Sequence, residues 1–146
     1  MLGTLAIKAS MGFLPDGDLI MVLTAYGSKI HKIYKYSTSN TGEIKLSQVY
    51  DIDISNDQFD ELLISCYIYQ KKLFIFHAYL LQLTQWNLST MKLEMQYDLN
   101  YPTGFPSGGI NKIIVNKNET LLALNINIGN FIHFCVISMK TGLKYG

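Results

Sequence analysis

The feature that most constrains this chain is that it copies itself. Residues 13–22, 67–76 and 115–124 each pass from a turn into an apolar strand, and their anchor leucines, Leu19, Leu73 and Leu121, lie 54 and 48 residues apart. A second landmark follows each of them: Tyr34-Lys35-Tyr36-Ser37-Thr38, Trp86-Asn87-Leu88-Ser89-Thr90 and Ile137-Ser138-Met139-Lys140-Thr141-Gly142. Tyr34, Trp86 and Ile137 are spaced by 52 and 51 residues, and each leads through a Ser/Thr turn into a Lys-containing strand. Two landmarks recurring in one order at one period mark tandem structural units, each burying its hydrophobic faces on its neighbour. The first copy carries extra turn residues at 39–41, which is tolerable because loop-closure entropy rises slowly with length.

Within the repeat the texture is strand. Alternation of apolar and polar residues over 30–36, 44–49 and 93–97 predicts half-exposed outer strands. The continuous apolar runs 19–23, 73–76 and 121–124 predict inner strands enclosed on both faces. The nearest helical pattern, 57–69 with Asn56 or Asp57 as a cap, conflicts with the repeat, which places the first strand of the second unit at 62–69. The expected fold is all-β, a single repeat domain over 1–146 with units at roughly 3–51, 52–100 and 109–146. Its four-stranded antiparallel units run 3–14, 18–25, 29–37 and 43–50, then 61–69, 72–78, 80–88 and 92–99, then 109–116, 120–127, 130–138 and 142 onward. Segment 100–109, with two prolines and three glycines, cannot sustain a ladder and is expected to form a rim loop.

Composition narrows the function classes. At 146 residues, 49% hydrophobic and 16% charged, the chain can bury a core without disulfides or metals. A net charge of +1, with twelve basic and eleven acidic residues spread along the chain, supplies no basic stripe, so no nucleic-acid partner is expected. The most apolar run, 73–81, contains His77 and ends at Gln82, well short of the roughly 20 residues that span a bilayer, so no membrane association is expected. The start has no basic stretch ahead of its apolar residues, and Cys66 and Cys135 sit in apolar runs as small hydrophobes; reduced thiols are favoured, although a bridge between them is left open. Together these point to a cytoplasmic protein.

Phe13-Leu14-Pro15-Asp16-Gly17 resembles the hairpin between the first two strands of a WD40-type propeller blade. Trp86-Asn87-Leu88-Ser89-Thr90 and Ile137-Ser138-Met139-Lys140-Thr141-Gly142 resemble that family's strand-end Trp-Asp followed by a Thr-Gly turn. The chain departs from the pattern at Asn87, where Asp is usual, at Tyr34 and Ile137, where Trp would stand, at Met91 in place of the turn Gly, and in lacking a Gly-His pair at the head of any copy. The resemblance implies three four-stranded blade-like units of a partial β-propeller. Closed propellers need about four to eight blades, so further blades or self-association through exposed sheet faces are expected. A β-trefoil, complete with three copies, is the alternative.

No catalytic set emerges from the residues. His31, His77 and His133 show no ligand set at metal-binding spacing, neither Cys is followed by a His at a spacing that suggests a nucleophile pair, and the Cys neighbours are apolar rather than electropositive. Asp16 with Asp18, Asp51 with Asp53, and Asp57 with Asp60 and Glu61 fall at turns, where Asp bonds its own backbone. Ser107-Gly108-Gly109 lacks the Lys and helix of a phosphate loop. No catalytic, metal or cofactor residue is therefore assigned and no cofactor is expected. The function expected is a non-enzymatic protein-interaction or scaffold module for a protein or peptide partner, the alternatives being a trefoil-type carbohydrate binder and a fragment of a larger propeller enzyme. Tyr101 and Phe105 on the Pro/Gly loop, with Tyr26, form the candidate interaction rim.

Overall fold

The computed structural model describes residues 7–25, 30–53, 64–77, 82–99, 108–128 and 130–145. The described residues are all-β, in twelve strands: β1 Ile7–Phe13, β2 Leu19–Ala25, β3 Ile30–Thr38, β4 Ile44–Asp53, β5 Ile64–Tyr69, β6 Lys72–His77, β7 Gln82–Asn87, β8 Lys92–Asp98, β9 Gly108–Val115, β10 Leu121–Ile128, β11 Phe131–Ser138 and β12 Lys144–Tyr145. They form three separate four-stranded antiparallel meanders, β1-β2-β3-β4, β5-β6-β7-β8 and β9-β10-β11-β12. In these blade-like units every described strand pairs inside its own sheet, whereas a trefoil needs strands from different copies to close a shared barrel. No described helix is long and apolar enough to cross a membrane.

The chain divides into two compact units, Met1–Leu62 with Ile68–Lys71, and Leu63–Tyr67 with Lys72–Gly146. In the first, Ile20, Val22, Ile33 and Ile52 are buried on one face of the first sheet. Gly12 lies on that face, where a Cβ would sit 3.1 Å from the Cβ of Ile68, a close approach that a larger residue could keep only if Ile68 gave way. Within the second unit two polar ties run from the second sheet and its end to the third sheet. The Tyr67 hydroxyl donates to the Ile110 carbonyl, and Lys144 Nζ donates to the Leu99 carbonyl at 3.1 Å.

The turns carry the threefold repeat in their backbone. Left-handed residues close the first hairpin of each sheet at Gly17, Gln70 and Glu119, and the third hairpin at Gly42, Met91 and Gly142. Pro15-Asp16-Gly17 is a tight turn in which the Gly17 N–H donates to the Leu14 carbonyl and the Leu14 N–H to the Asp18 carbonyl, with Asp16 Oδ1 accepting from the Asp18 N–H. In the third hairpins, Asn87 Oδ1 accepts from the N–H groups of Ser89 and Thr90, and Ser138 Oγ accepts from that of Thr141. The N–H groups of Met91 and Gly142 then donate back to the carbonyls of Asn87 and Ser138. A side-chain oxygen at the strand end is thus what the turn requires, and Asn supplies it as well as Asp.

Met91 holds φ at 57° where the equivalent turns place Gly42 and Gly142, and a β-carbon in that region costs about 1 kcal/mol. Met91→Gly should therefore raise stability by about 0.5–1 kcal/mol, read as a higher urea midpoint at an unchanged slope. A lower midpoint would show that Met91 packing outweighs its backbone strain.

Pairing corrects the register of the repeat. Leu19 lies opposite Tyr36, Leu73 opposite Trp86 and Leu122 opposite Ile137, so the equivalent residues are Leu122 rather than Leu121 and Tyr36 rather than Tyr34. A β-bulge falls immediately before both Tyr36 and Trp86, which reinforces the match. The inner-strand expectation also needs correction. β6 is buried on both faces, but β2 and β10 alternate, with Leu19, Met21 and Leu23 half-buried and Leu121 exposed.

Candidate interaction surfaces

Tyr26, Tyr101 and Phe105 lie outside the described residues. Within the described residues two kinds of surface stand out: a polar cluster built into the second sheet, and apolar faces on the first and third sheets.

The polar cluster begins with the bulge between Gln85 and Trp86. There Met95 pairs with Gln85 and Leu93 with Trp86, which leaves Glu94 as the extra residue, and a bulge of this kind re-aims a side chain. Glu94 Oε2 accepts from Gln85 Nε2 at 2.8 Å and from Lys72 Nζ at 3.0 Å, and Oε1 accepts from Asn87 Nδ2 at 2.9 Å. Tyr97, buried at 1% exposure, donates its hydroxyl to Gln85 Oε1 at 2.7 Å. Burial alone would push the Glu94 carboxyl up, but the hydrogen bonds from Gln85, Lys72 and Asn87, with the Lys72 charge, hold it below the usual carboxylate value of 4.5. Burial, and then the Glu94 charge, push the Tyr97 phenol up to about 12. Each of these groups is spent on another member of the cluster, and Asn87 also serves its turn. The arrangement locks β6, β7 and β8 together.

On the opposite face of the same sheet, Trp86 Nε1 donates to Thr84 Oγ1 at 3.0 Å, and the Thr84 hydroxyl lies 3.4 Å from both the Ile75 carbonyl and His77 Nε2. His77 is thus a buried strand histidine within a local network. Among the described residues no group of three or more His, Cys, Asp or Glu side chains is placed to hold a metal ion. Cys66 is half-buried on the second sheet and Cys135 buried on the third, both as thiols.

The apolar faces follow from strand alternation. On the first sheet the register puts Met11, Phe13, Tyr34, Tyr36, Leu46 and Val49 on one side, opposite the buried Ile20 and Ile33. Phe13 is 69% exposed. Lys32 and Asp51 face each other at the margin of this side, 3.0 Å apart, and the hydrogen bond from Lys32 to Asp51 holds its ammonium above the usual value. On the third sheet, Ile114, Leu121, Ile132, Phe134, Val136 and Tyr145 share the side opposite the buried Leu122, Leu124 and Ile137. Phe134 is 72% and Ile132 61% exposed. Beside them, Asn127 Nδ2 donates to Asn111 Oδ1 at 3.0 Å, and Asn111 Nδ2 reaches Asn125 Oδ1 at 3.5 Å. On both sheets the exposed apolar residues are neighbours on one face rather than scattered singly.

The sequence leads to an expectation of further blades or self-association through exposed sheet faces, but it assigns no residue to those faces. The signal lay in 131–137, where six of seven residues are apolar and both parities of the strand are apolar. The Glu94 cluster was missed because a bulge has no sequence signature here.

No family model matches the chain, and no curated protein does. Among solved structures, the chain is similar to a crystal structure of a protein from Lactobacillus plantarum, a structural-genomics target, at 15% identity and a TM-score of 0.52. The match covers 93% of this chain and 39% of that one, so this chain spans about two fifths of that structure's length. At this identity the likeness speaks for fold alone. With the three four-stranded sheets it is consistent with part of a propeller.

Proposed function

We propose that the chain is a non-enzymatic protein-interaction module, a WD40-like partial propeller whose exposed sheet faces hold a protein partner in a cytoplasmic setting. The observation that carries this reading is the apolar face of the third sheet, with Phe134 72% exposed beside Ile132, Val136 and Tyr145. Aromatic side chains of this kind anchor protein interfaces because they bury large area at low conformational cost. The polar side chains of the second sheet support the same reading, since Glu94, Gln85 and Tyr97 are committed to each other.

The test is a photo-reactive residue placed at position 134, irradiated in an extract of the native cells. It should give a discrete cross-linked protein, while the same residue at exposed Lys92, on an edge strand of the second sheet, should give far less. Equal labelling at both positions would overturn the reading.

A further inference from the structure

The register makes the two exposed faces different in kind. Leu19 and Tyr36 of the first sheet correspond to Leu73 and Trp86 of the second and Leu122 and Ile137 of the third. This side is buried around Leu73 and around Leu122 but exposed on the first sheet at Phe13 and Met11. The other side carries Ile20 and Ile33 in the first sheet and Phe74, Phe76 and Leu83 in the second, all buried, yet in the third sheet it is the exposed side of Ile132 and Phe134. Each exposed face is thus the type that the repeat buries elsewhere, and the two belong to opposite sides of the repeated sheet.

Resting on the interaction-module reading, we infer that the partner is a second copy of this chain, joined head to tail, with the third-sheet face of one copy against the first-sheet face of the other. Such a contact is heterologous, and two copies can satisfy it reciprocally where the rotation closes. A net charge of +1 leaves little repulsion between copies. Asn111, Asn125 and Asn127 on the third-sheet face bond to one another, so covering them strands few polar groups. The facing aromatics, Phe134 on one copy and Phe13, Tyr34 and Tyr36 on the other, supply the anchors.

Size-exclusion chromatography with light scattering on the purified chain tests this. The wild type should run at twice the mass of one chain, and Phe134→Lys and Phe13→Lys should each weaken pairing by roughly tenfold or more, as expected for an aromatic anchor. Mixing the two variants should restore pairing, because each keeps the face that the other has lost. A folded wild type at the mass of one chain would overturn the inference while leaving the cross-linking result to judge the module. Pairs that mixing fails to restore would mean like faces meet, and would overturn it too. If Ile132→Lys loses its β-sheet circular dichroism, that face is core rather than surface, and both the inference and the reading beneath it fall.

Discussion

Leu83→Ala should lower unfolding free energy by about 3–4 kcal/mol, while Leu143→Ala, which deletes the same atoms, should change it by less than about 0.5 kcal/mol. Leu83 sits at 0% exposure on β7, an inner strand of the second sheet, directly between Phe76 on β6 and Tyr97 on β8. Phe76 and Tyr97 are themselves almost fully enclosed. Truncation removes the transfer energy of the lost carbons and leaves a void that two rigid rings, held in register by the ladder, cannot collapse to fill. Leu143 lies beside a hairpin turn at 63% exposure, where its side chain touches mostly water. A loss of that size is a large share of the 5–15 kcal/mol typical of a domain, so the Leu83 variant should also melt well below the wild type. Urea unfolding of both variants decides it. Equal costs would mean that the second sheet is not packed as described.

The contrast between these leucines shows what could be read from sequence and what could not. Strand existence was legible, because alternation in β3, β4 and β8 and the turns around Gly17 and Gly142 act locally. The Pro15-Asp16-Gly17 hairpin and the equivalence of Trp86 with Ile137 both hold in the folded chain. Register within the third unit was not legible. Leu121 and Leu122 are adjacent, and a one-residue slip moves every side chain to the other face without changing the local pattern. Exposure of the outer sides of β2 and β10 was misjudged for a related reason: an apolar run does not reveal whether a second sheet lies against it. Leu19 and Leu73 occupy equivalent positions, yet Leu73 is fully buried and Leu19 only half-buried. The polar cluster was the least legible feature. Lys72, Gln85, Asn87 and Glu94 read as ordinary solvent-facing residues, and only the bulge on β8 brings Glu94 onto their side of the sheet.

That cluster makes the second large prediction, Glu94→Gln. The carboxylate accepts three donors at once, from Lys72, Gln85 and Asn87. Gln has nearly the same shape, but it carries one acceptor oxygen and turns its NH2 group toward other donors, so at least one of these contacts becomes donor against donor. Hydrogen bonds to a charged group are worth about 1.5–3 kcal/mol each when buried, and partial exposure screens them, so a loss of about 2 kcal/mol at neutral pH is expected. Its pH dependence has a definite sign. The folded-state value of Glu94 lies below the ordinary 4.5, so the folded protein keeps the carboxylate ionised where the unfolded chain has begun to bind a proton. The stabilisation is therefore complete above 4.5 and disappears as pH falls through the lower folded value. Wild type and Glu94→Gln should consequently differ most at pH 7 and converge in the acid limb, with the variant showing the flatter profile below 4.5. Asn87→Asp puts a second carboxylate beside Glu94, so its penalty too should be largest at neutral pH and shrink as protonation relieves the repulsion. Chemical denaturation of the three proteins from pH 7 down to the acid transition would measure both trends. A Glu94→Gln penalty that stayed constant across that range would show that the side chain contributes shape alone, and that the charge shared by Lys72, Gln85 and Asn87 does not hold β6, β7 and β8 together.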